Sequence, residues 1–273
     1  MQAGLTQEQI KRYREDGYVF PLHAYDAAQA TADAANVRAL ETQYGPRAGQ
    51  ILRQKSHLVL TWVDNLIRLD PVLDAVESLI GPDILCWTTS FFIKHPGDNR
   101  IVTWHQDATY WGLEADDIVS AWIALTPSHR GNGCMRVVPG THTAPIEHQR
   151  RETKNNMLSM GQEVPYDEDT GKAVDIELAP GQFSLHHQLI VHGSEANNGT
   201  IPRMGLAIRY LKPHARQVVE STDTAMLVRG QDRVGHFKLE PRPKADMDPE
   251  AVAYFETMMA TRNGGRYRRP LAS

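Results

Sequence analysis

Two short stretches of the sequence hold residue types that together could bind a metal ion. The first is Trp104-His105-Gln106-Asp107, in which an imidazole and a carboxylate stand two residues apart. Residues i and i+2 of a β-strand leave the same face, so the spacing predicts that His105 and Asp107 point the same way. A His-x-Asp triplet arises often by chance and alone specifies nothing. The second stretch is Ile190-Val191-His192-Gly193-Ser194, where His192 and Ser194 share one strand face and Leu189 and Val191 the other. If the fold lays this strand beside the first, His192 completes a set of two imidazoles and one carboxylate. Such donors suit Fe(II), Mn(II) or Zn(II) by affinity, and geometry decides among them. Ligands on one side with open positions opposite would favour an iron oxygenase.

Arg203 opens the segment that follows. Gly205 and Ala207 lie on its face, while Met204, Leu206 and Ile208 face the other way and are expected to pack under helices. An arginine followed by two very small side chains leaves room for a flat anion against the strand. A guanidinium grips a carboxylate with two parallel, charge-assisted hydrogen bonds. Arg209 shares this face and is the alternative anchor. His186 and His187 are the rivals of His192; alternation lets only one of the pair face inward, and neither has a serine and an arginine downstream at matching spacing. Most of the 12 histidines are ordinary, and His129, His142 and His148, in turns, receive no role. Trp104 is read as core. Tyr110 and Trp111, just after the first stretch, are placed at the rim, either lining substrate or packing. Arg136, with Lys94, could meet an anionic substrate, although a surface salt bridge is the plainer reading of Arg136.

Positioning these groups falls to two kinds of element. Thr6 and Gln9 form a capping-box pattern for a first helix that Gly17 ends, and Tyr18 to Phe20 reads as a short strand. An alanine-rich helix runs from about Asp26 to Tyr44 and stops at Gly45-Pro46. Asp70 and Pro71, as N-cap and N1, open a third helix with the stripe Leu73, Val76, Leu79 and Ile80. From residue 84 the texture changes to short β-branched and aromatic segments: 84–93, 101–106, 118–125, 134–138, 174–178, 182–187, 190–193 and 204–211. Pro96-Gly97, Gly131-Asn132-Gly133, Pro139-Gly140, Pro180-Gly181 and Asn197-Asn198-Gly199 punctuate them. This pattern predicts an antiparallel sandwich or jelly roll with the helices on one outer face. Residues 143–172 interrupt it with a polar stretch long enough to be a lid, a binding loop or disorder. Asp248-Pro249 opens a last helix ending near Gly264.

The length of 273 residues fits a single domain over 1–273: a helical N-terminal segment over residues 1–83, a β core over 84–212 and a C-terminal extension over 213–273. A hydrophobic share of 41% and a charged share of 23% are those of an ordinary globular protein. The net charge of −4 gives no general electrostatic reason to expect nucleic acid or an anionic membrane as partner. The basic cluster from Arg262 to Arg269 is read as a solvated tail. Two cysteines, Cys86 and Cys134, in apolar runs suit a reducing compartment. The N-terminus lacks a signal-peptide pattern and no apolar run approaches the ~20 residues of a membrane span. A cytoplasmic protein with a small-molecule substrate is expected; oligomeric state is unread.

The stretch His105-Gln106-Asp107, then Trp122, the run from Asn132-Gly133-Cys134-Met135 to Pro139-Gly140-Thr141-His142, and finally His192-x-Ser194 and Arg203 resemble the phytanoyl-CoA dioxygenase family of iron- and 2-oxoglutarate-dependent oxygenases. The resemblance covers roughly residues 5–212. It implies a mainly β, cupin-like double-stranded β-helix with flanking N-terminal helices, and Fe(II), 2-oxoglutarate and O2 as cofactor and cosubstrates. It implies His105, Asp107 and His192 as the catalytic iron ligands. Arg203 would hold the C5 carboxylate of 2-oxoglutarate with Ser194, Trp122 would line the cosubstrate pocket, and Lys94 would lie near it. Related halogenases have alanine or glycine where Asp107 stands, so hydroxylation of a small organic metabolite, with release of succinate and CO2, is expected. The family name points to an acyl-CoA, but nothing here offers a basic patch for the CoA phosphates. Two other readings compete: a cupin-like metal-dependent hydrolase or isomerase, which leaves Arg203 and Ser194 unexplained, and a 2-oxoglutarate-binding module without turnover, against which the intact triad argues.

Overall fold

In the computed structural model, which describes residues 4–115, 118–150, 155–158, 162–167, 170–220 and 222–264, helices fill most of the chain before residue 84. Helix α1 (Gln7–Asp16) starts on the expected capping box. The Thr6 hydroxyl accepts from the Gln9 amide at 3.2 Å, and the Gln9 side chain accepts from the Thr6 amide at 2.9 Å. Strand β1 (Tyr18–His23) runs on through Pro21, which is tolerated because β1 is the edge of its sheet. Helix α2 (Ala27–Tyr44) is capped by Asp26, whose carboxylate accepts from the Ala28 amide at 2.6 Å. Gly45 ends it, but Pro46 opens another helix, α3 (Pro46–Arg53), because proline at the first helical position lacks only an amide that would go unpaired anyway. Helix α4 (Thr61–Leu66) follows. Helix α5 (Asp70–Ile80) begins one residue earlier than the sequence suggested: Leu69 is at the N-cap without a side-chain bond, and Asp70 pairs with Arg229 at 3.1 Å.

The strands that follow are β2 (Ile84–Lys94), β3 (Val102–His105), β4 (Leu113–Glu114), β5 (Ile118–Ala124), β6 (Met135–Val138), β7 (Gln149–Arg150) and β8 (Gln162–Glu163). After them come β9 (Val174–Ile176), β10 (Gln182–His187), β11 (Val191–Ser194), β12 (Arg203–Leu211), β13 (Arg216–Gln217), β14 (Thr224–Arg229) and β15 (Lys238–Leu239). Helix α6 (Pro249–Gly264) closes the chain. A seven-stranded sheet has the order β1-β10-β5-β12-β2-β14-β15, and a four-stranded sheet the order β3-β11-β6-β9. Their pairings are antiparallel except for β14 with β15.

Alternation along the central strands sorts the side chains into two environments. Val119, Ala121, Ile123, Phe183, Leu185, Met204, Leu206 and Ile208 share one core with Val37, Leu40, Ile51, Leu52, Val63, Leu73 and Val76 of the helices. Each such large aliphatic or aromatic side chain contributes roughly 1.5–3 kcal/mol through burial, so this face fixes the helices against the sheet. The opposite face looks toward the four-stranded sheet, where Trp122, Ala124 and Ala207 meet Met135, Val137 and Ile176. The described residues of the 143–172 excursion cover the outer side of the smaller sheet. Val164, Ile146 and Tyr166 pack on Val138, Val191 and Trp104, and the Val164 amide donates to the Trp104 carbonyl at 2.7 Å. The side chains of the Arg262–Arg269 cluster lie outside the described residues. Among those described, no helix is long and apolar enough to cross a membrane.

Candidate metal centre and its cavity

Strands β3 and β11 are neighbours, and His105 and His192 are cross-strand partners with ring centroids 4.1 Å apart. In each histidine, Nδ1 meets the carbonyl two residues earlier: Thr103 at 2.8 Å for His105, Ile190 at 3.0 Å for His192. A carbonyl only accepts, so Nδ1 carries the proton and Nε2 presents a lone pair, the tautomer a metal ligand needs. Burial, with His105 beside it, lowers the His192 pKa to about 4 and keeps that ring neutral.

Asp107 arrives differently from the strand geometry expected of it. Strand β3 ends at His105, and Asp107 starts a short 3-10 turn, Asp107–Tyr110. The cause is Gln106, whose side chain is held by four backbone groups. It accepts from the Ile146 amide at 2.7 Å and donates to the carbonyls of Leu189 at 2.6 Å, Ala144 at 3.0 Å and Thr141 at 3.2 Å. With Gln106 pinned, the turn folds the next carboxylate back, and Asp107 Oδ1 lies 3.3 Å from His105 Nε2. Ligand atoms of His105, Asp107 and His192 all lie within 4.8 Å of one another, and all three residues are buried. Burial opposes ionisation of Asp107, but its charged surroundings, the Arg209 guanidinium among them, outweigh burial and hold the carboxyl below the usual range. An ionised carboxylate facing an Nε2 lone pair, with Asp107 Oδ2 lacking any hydrogen-bond partner among the described residues, is an arrangement a divalent cation completes.

The same cavity is walled by Ser194, Arg203 and Trp122. Arg203 stands opposite Lys94 in the sheet, is 2% exposed, and has no hydrogen-bond partner for Nε or Nη2 among the described residues. Its guanidinium lies over the Trp122 ring at 5.6 Å. Lys94 is also fully buried; its ammonium donates to Ser194 Oγ at 2.7 Å and to the Glu195 carbonyl, fixing the serine beside the arginine. Burial and the neighbouring Arg203 charge lower the Lys94 pKa to about 7. The small residues after Arg203 serve a purpose other than the one read from sequence. A Cβ on Gly205 would lie 1.9 Å from the Trp122 ring, so Gly205 makes room for the indole, and only Ala207 borders the cavity.

Other sequence candidates fall elsewhere. Arg136 is on the outer side of the smaller sheet, bonded to Asp175 at 3.0 Å and stacked over Trp104 at 5.4 Å; its neighbours Met135 and Val137 take the inner side. The salt-bridge reading of Arg136 therefore describes its surroundings, and the cavity reading does not. Trp111 is 9% exposed and packs on Trp87, with its ring 5.8 Å from the Arg209 guanidinium. The side chain of Tyr110 lies outside the described residues. His187 turns out toward Tyr13 and His142, whereas His186 lines the cavity with its ring 5.1 Å from that of His192. The sequence reading weighed His186 as a rival of His192 for the metal and did not say which of His186 and His187 faces inward; alternation from the buried Leu185 makes it His186.

A family model described as phytanoyl-CoA dioxygenase (PhyH) matches residues 1–205. A relative named as a probable alpha-ketoglutarate-dependent hypophosphite dioxygenase, from Stutzerimonas stutzeri, is 25% identical over 222 residues, covering 74% of this chain and 77% of that one. Against the phytanoyl-CoA dioxygenases among its other curated relatives, the chain spans about half their length or less. Among solved structures, the non-heme monooxygenase ThoJ in its apo form is 35% identical with a TM-score of 0.83, over 94% of this chain and 96% of that one. CytC3 with Fe(II) and alpha-ketoglutarate is 25% identical with a TM-score of 0.69, over 91% and 97%.

Proposed function

Because the chain belongs to the phytanoyl-CoA dioxygenase family, we propose that it is a non-haem Fe(II)- and 2-oxoglutarate-dependent dioxygenase that hydroxylates an unactivated C–H bond of a small organic metabolite. The two facing sheets are then the halves of a double-stranded β-helix within one domain. One observation carries the reading: His105 and His192, which cluster with Asp107, line one cavity with a buried guanidinium that has two donor atoms without a partner among the described residues. When bound, Fe(II), 2-oxoglutarate and O2 supply the oxidising chemistry, with succinate and CO2 as coproducts.

The chain's residues orient that chemistry. His105 Nε2, Asp107 and His192 Nε2 hold the iron, and the carbonyls of Thr103 and Ile190 fix both rings in the ligating tautomer. The unused donors of Arg203 take the C5 carboxylate of 2-oxoglutarate, and Ser194, held by Lys94, bonds the same group. Trp122, seated by Gly205, closes the pocket beside the guanidinium and excludes water. A carboxylate at position 107 favours hydroxylation over halogenation, as the resemblance implies. A hydrolase or isomerase on the same metal leaves Arg203 with buried, unused donors, which is costly without a ligand to meet them.

Succinate formation from 2-oxoglutarate, with Fe(II), ascorbate and a panel of small metabolites, tests the reading. Substrate-dependent succinate is expected from the wild type, and His105→Ala or Asp107→Ala is expected to abolish it. Full coupled turnover in either variant would reject the ligand assignment.

A further inference from the structure

Arg203 is not the only guanidinium buried in the cavity. Arg209, on the same face of β12, also borders it and is 8% exposed. Its neighbours across the sheet are settled by register: Arg209 is paired with Ser120 on β5, and Ser120 with His186 on β10. The three side chains therefore stand abreast on the cavity side, and Ser120 and His186 are 0% and 3% exposed. Each lacks a partner among the described residues: Arg209 at Nε and Nη1, Ser120 at Oγ and His186 at Nδ1. Arg209 is held between the faces of Phe92 and Trp111, each 5.8 Å away. Its approach to Asp107 Oδ2, at 3.8 Å, is too long for a hydrogen bond.

Charge counting shows what this row lacks. With a divalent cation on the triad, Asp107 and one carboxylate of 2-oxoglutarate balance the metal, and the other carboxylate balances Arg203. Lys94 and Arg209 are left over, and of the two it is Lys94 whose ammonium is met by the chain, at Ser194 and Glu195. Six residues of strand put the Cα atoms of the two arginines about 20 Å apart, and their guanidiniums meet different groups, Trp122 for Arg203 and Asp107 for Arg209. A buried cation with unused, fork-shaped donors is costly until an oxyanion meets it.

Resting on the oxygenase reading above, we propose that the His186–Ser120–Arg209 row binds a compact oxyanion, carboxylate or phosphonate, carried by the primary substrate. Arg209 supplies the two-pronged grip, and Ser120 and His186 add a hydrogen bond each. The substrate is thus a small organic anion, anchored on the Asp107 side of the metal site, away from Arg203.

The test is calorimetric titration of the anaerobic Fe(II)–2-oxoglutarate protein with acetate and methylphosphonate, beside their neutral counterparts acetamide and dimethyl methylphosphonate. Saturable binding of at least one anion, and of neither neutral compound, is expected; which anion binds tells a planar from a tetrahedral group. Arg209→Met should weaken the anion at least tenfold, and Arg209→Lys, which keeps the charge but loses the fork, by less. Both variants should still form the Fe(II)–2-oxoglutarate complex, read from its charge-transfer absorption, with a smaller loss of cosubstrate affinity than Arg203→Met shows, and should melt no lower than wild type. Equal binding of anions and neutral compounds would overturn the proposal. So would a loss of 2-oxoglutarate affinity in Arg209→Met as large as that in Arg203→Met, which would give Arg209 to the cosubstrate. A wild type that binds no 2-oxoglutarate would instead contradict the oxygenase reading itself and the proposal with it.

Discussion

The two faces of the seven-stranded sheet bury ionisable groups in opposite ways. On the helix side, the Lys55 ammonium donates to Glu240 Oε1 at 2.5 Å, to the Thr224 carbonyl at 2.8 Å and to the Thr224 hydroxyl at 3.2 Å. The other Glu240 oxygen meets His57 Nε2 at 3.0 Å, and His57 Nδ1 meets the Thr89 hydroxyl at 3.1 Å. Lys55, His57 and Thr89 are 0% exposed and Glu240 7%, yet none of these groups is left waiting for a ligand. On the cavity side, Arg203 and Arg209 are also buried but keep donors without a partner among the described residues. Buried charge alone therefore does not mark a functional site here. A buried charge whose hydrogen bonds are incomplete does, because the missing partner has to come from outside the chain.

This contrast is open to direct attack. The largest effect is expected from Glu240→Gln, which leaves the Lys55 charge buried without its counter-ion; unfolding should become easier by roughly 3–5 kcal/mol, with the KM for 2-oxoglutarate unchanged. A pH effect accompanies it. Burial would raise the Glu240 pKa, but Lys55 and His57 outweigh burial and hold it at about 2, below its ordinary 4.5. A carboxyl depressed on folding stabilises the protein above its unfolded pKa, and that stability is lost as pH falls from about 4.5 toward 2. Melting curves over that window should show Glu240→Gln losing less with acid than the wild type.

Arg203→Met should do the reverse. Loss of a charged bidentate contact worth roughly 1.5–3 kcal/mol should raise the KM for 2-oxoglutarate tenfold or more. The ligand-free melting temperature should stay level or rise, since the substitution removes an unsatisfied buried charge. A drop in that temperature as large as the one from Glu240→Gln would erase the distinction between the two faces. Gly205→Ala comes next. Its methyl would collide with the Trp122 ring, so displacement of the indole should cost roughly 1–3 kcal/mol and weaken 2-oxoglutarate binding together with stability. The smallest effect is expected from Lys94→Met, which frees Ser194 and should raise the same KM by roughly two- to tenfold through one lost hydrogen bond. An unchanged KM would remove Ser194 and Lys94 from the cosubstrate site.

The sequence revealed most where local chemistry decides the outcome. Thr6 and Gln9 define the start of α1, and the β-branched segments from residue 84 match the strands closely, because caps and alternation are set by near neighbours. The inward placement of His105, His192 and Arg203 was also readable, through alternation, while their roles came with the family resemblance. The rest depended on contacts distant in sequence. Gly45-Pro46 read as a stop, yet proline is as good a beginning, and only the packing of Ile51 and Leu52 in the helix-side core explains α3. Asp107 leaves its strand because of what Gln106 bonds to more than thirty residues away. The gap beside Arg203 belongs to an indole from another strand, and Arg136 faces outward because Met135 and Val137 face in. The Lys55–Glu240 pair joins residues 185 apart in the chain, which no local pattern announces.

Anaerobic titration of the metal-free protein with Fe(II) and 2-oxoglutarate, followed by the charge-transfer absorption that appears only when the cosubstrate chelates the iron, tests the central assignment most directly. One equivalent of each is expected to saturate the wild type, while His105→Ala and His192→Ala should develop no band at the same concentrations. A band of full intensity in either variant, or none in the wild type, would contradict the placing of the iron between His105, Asp107 and His192.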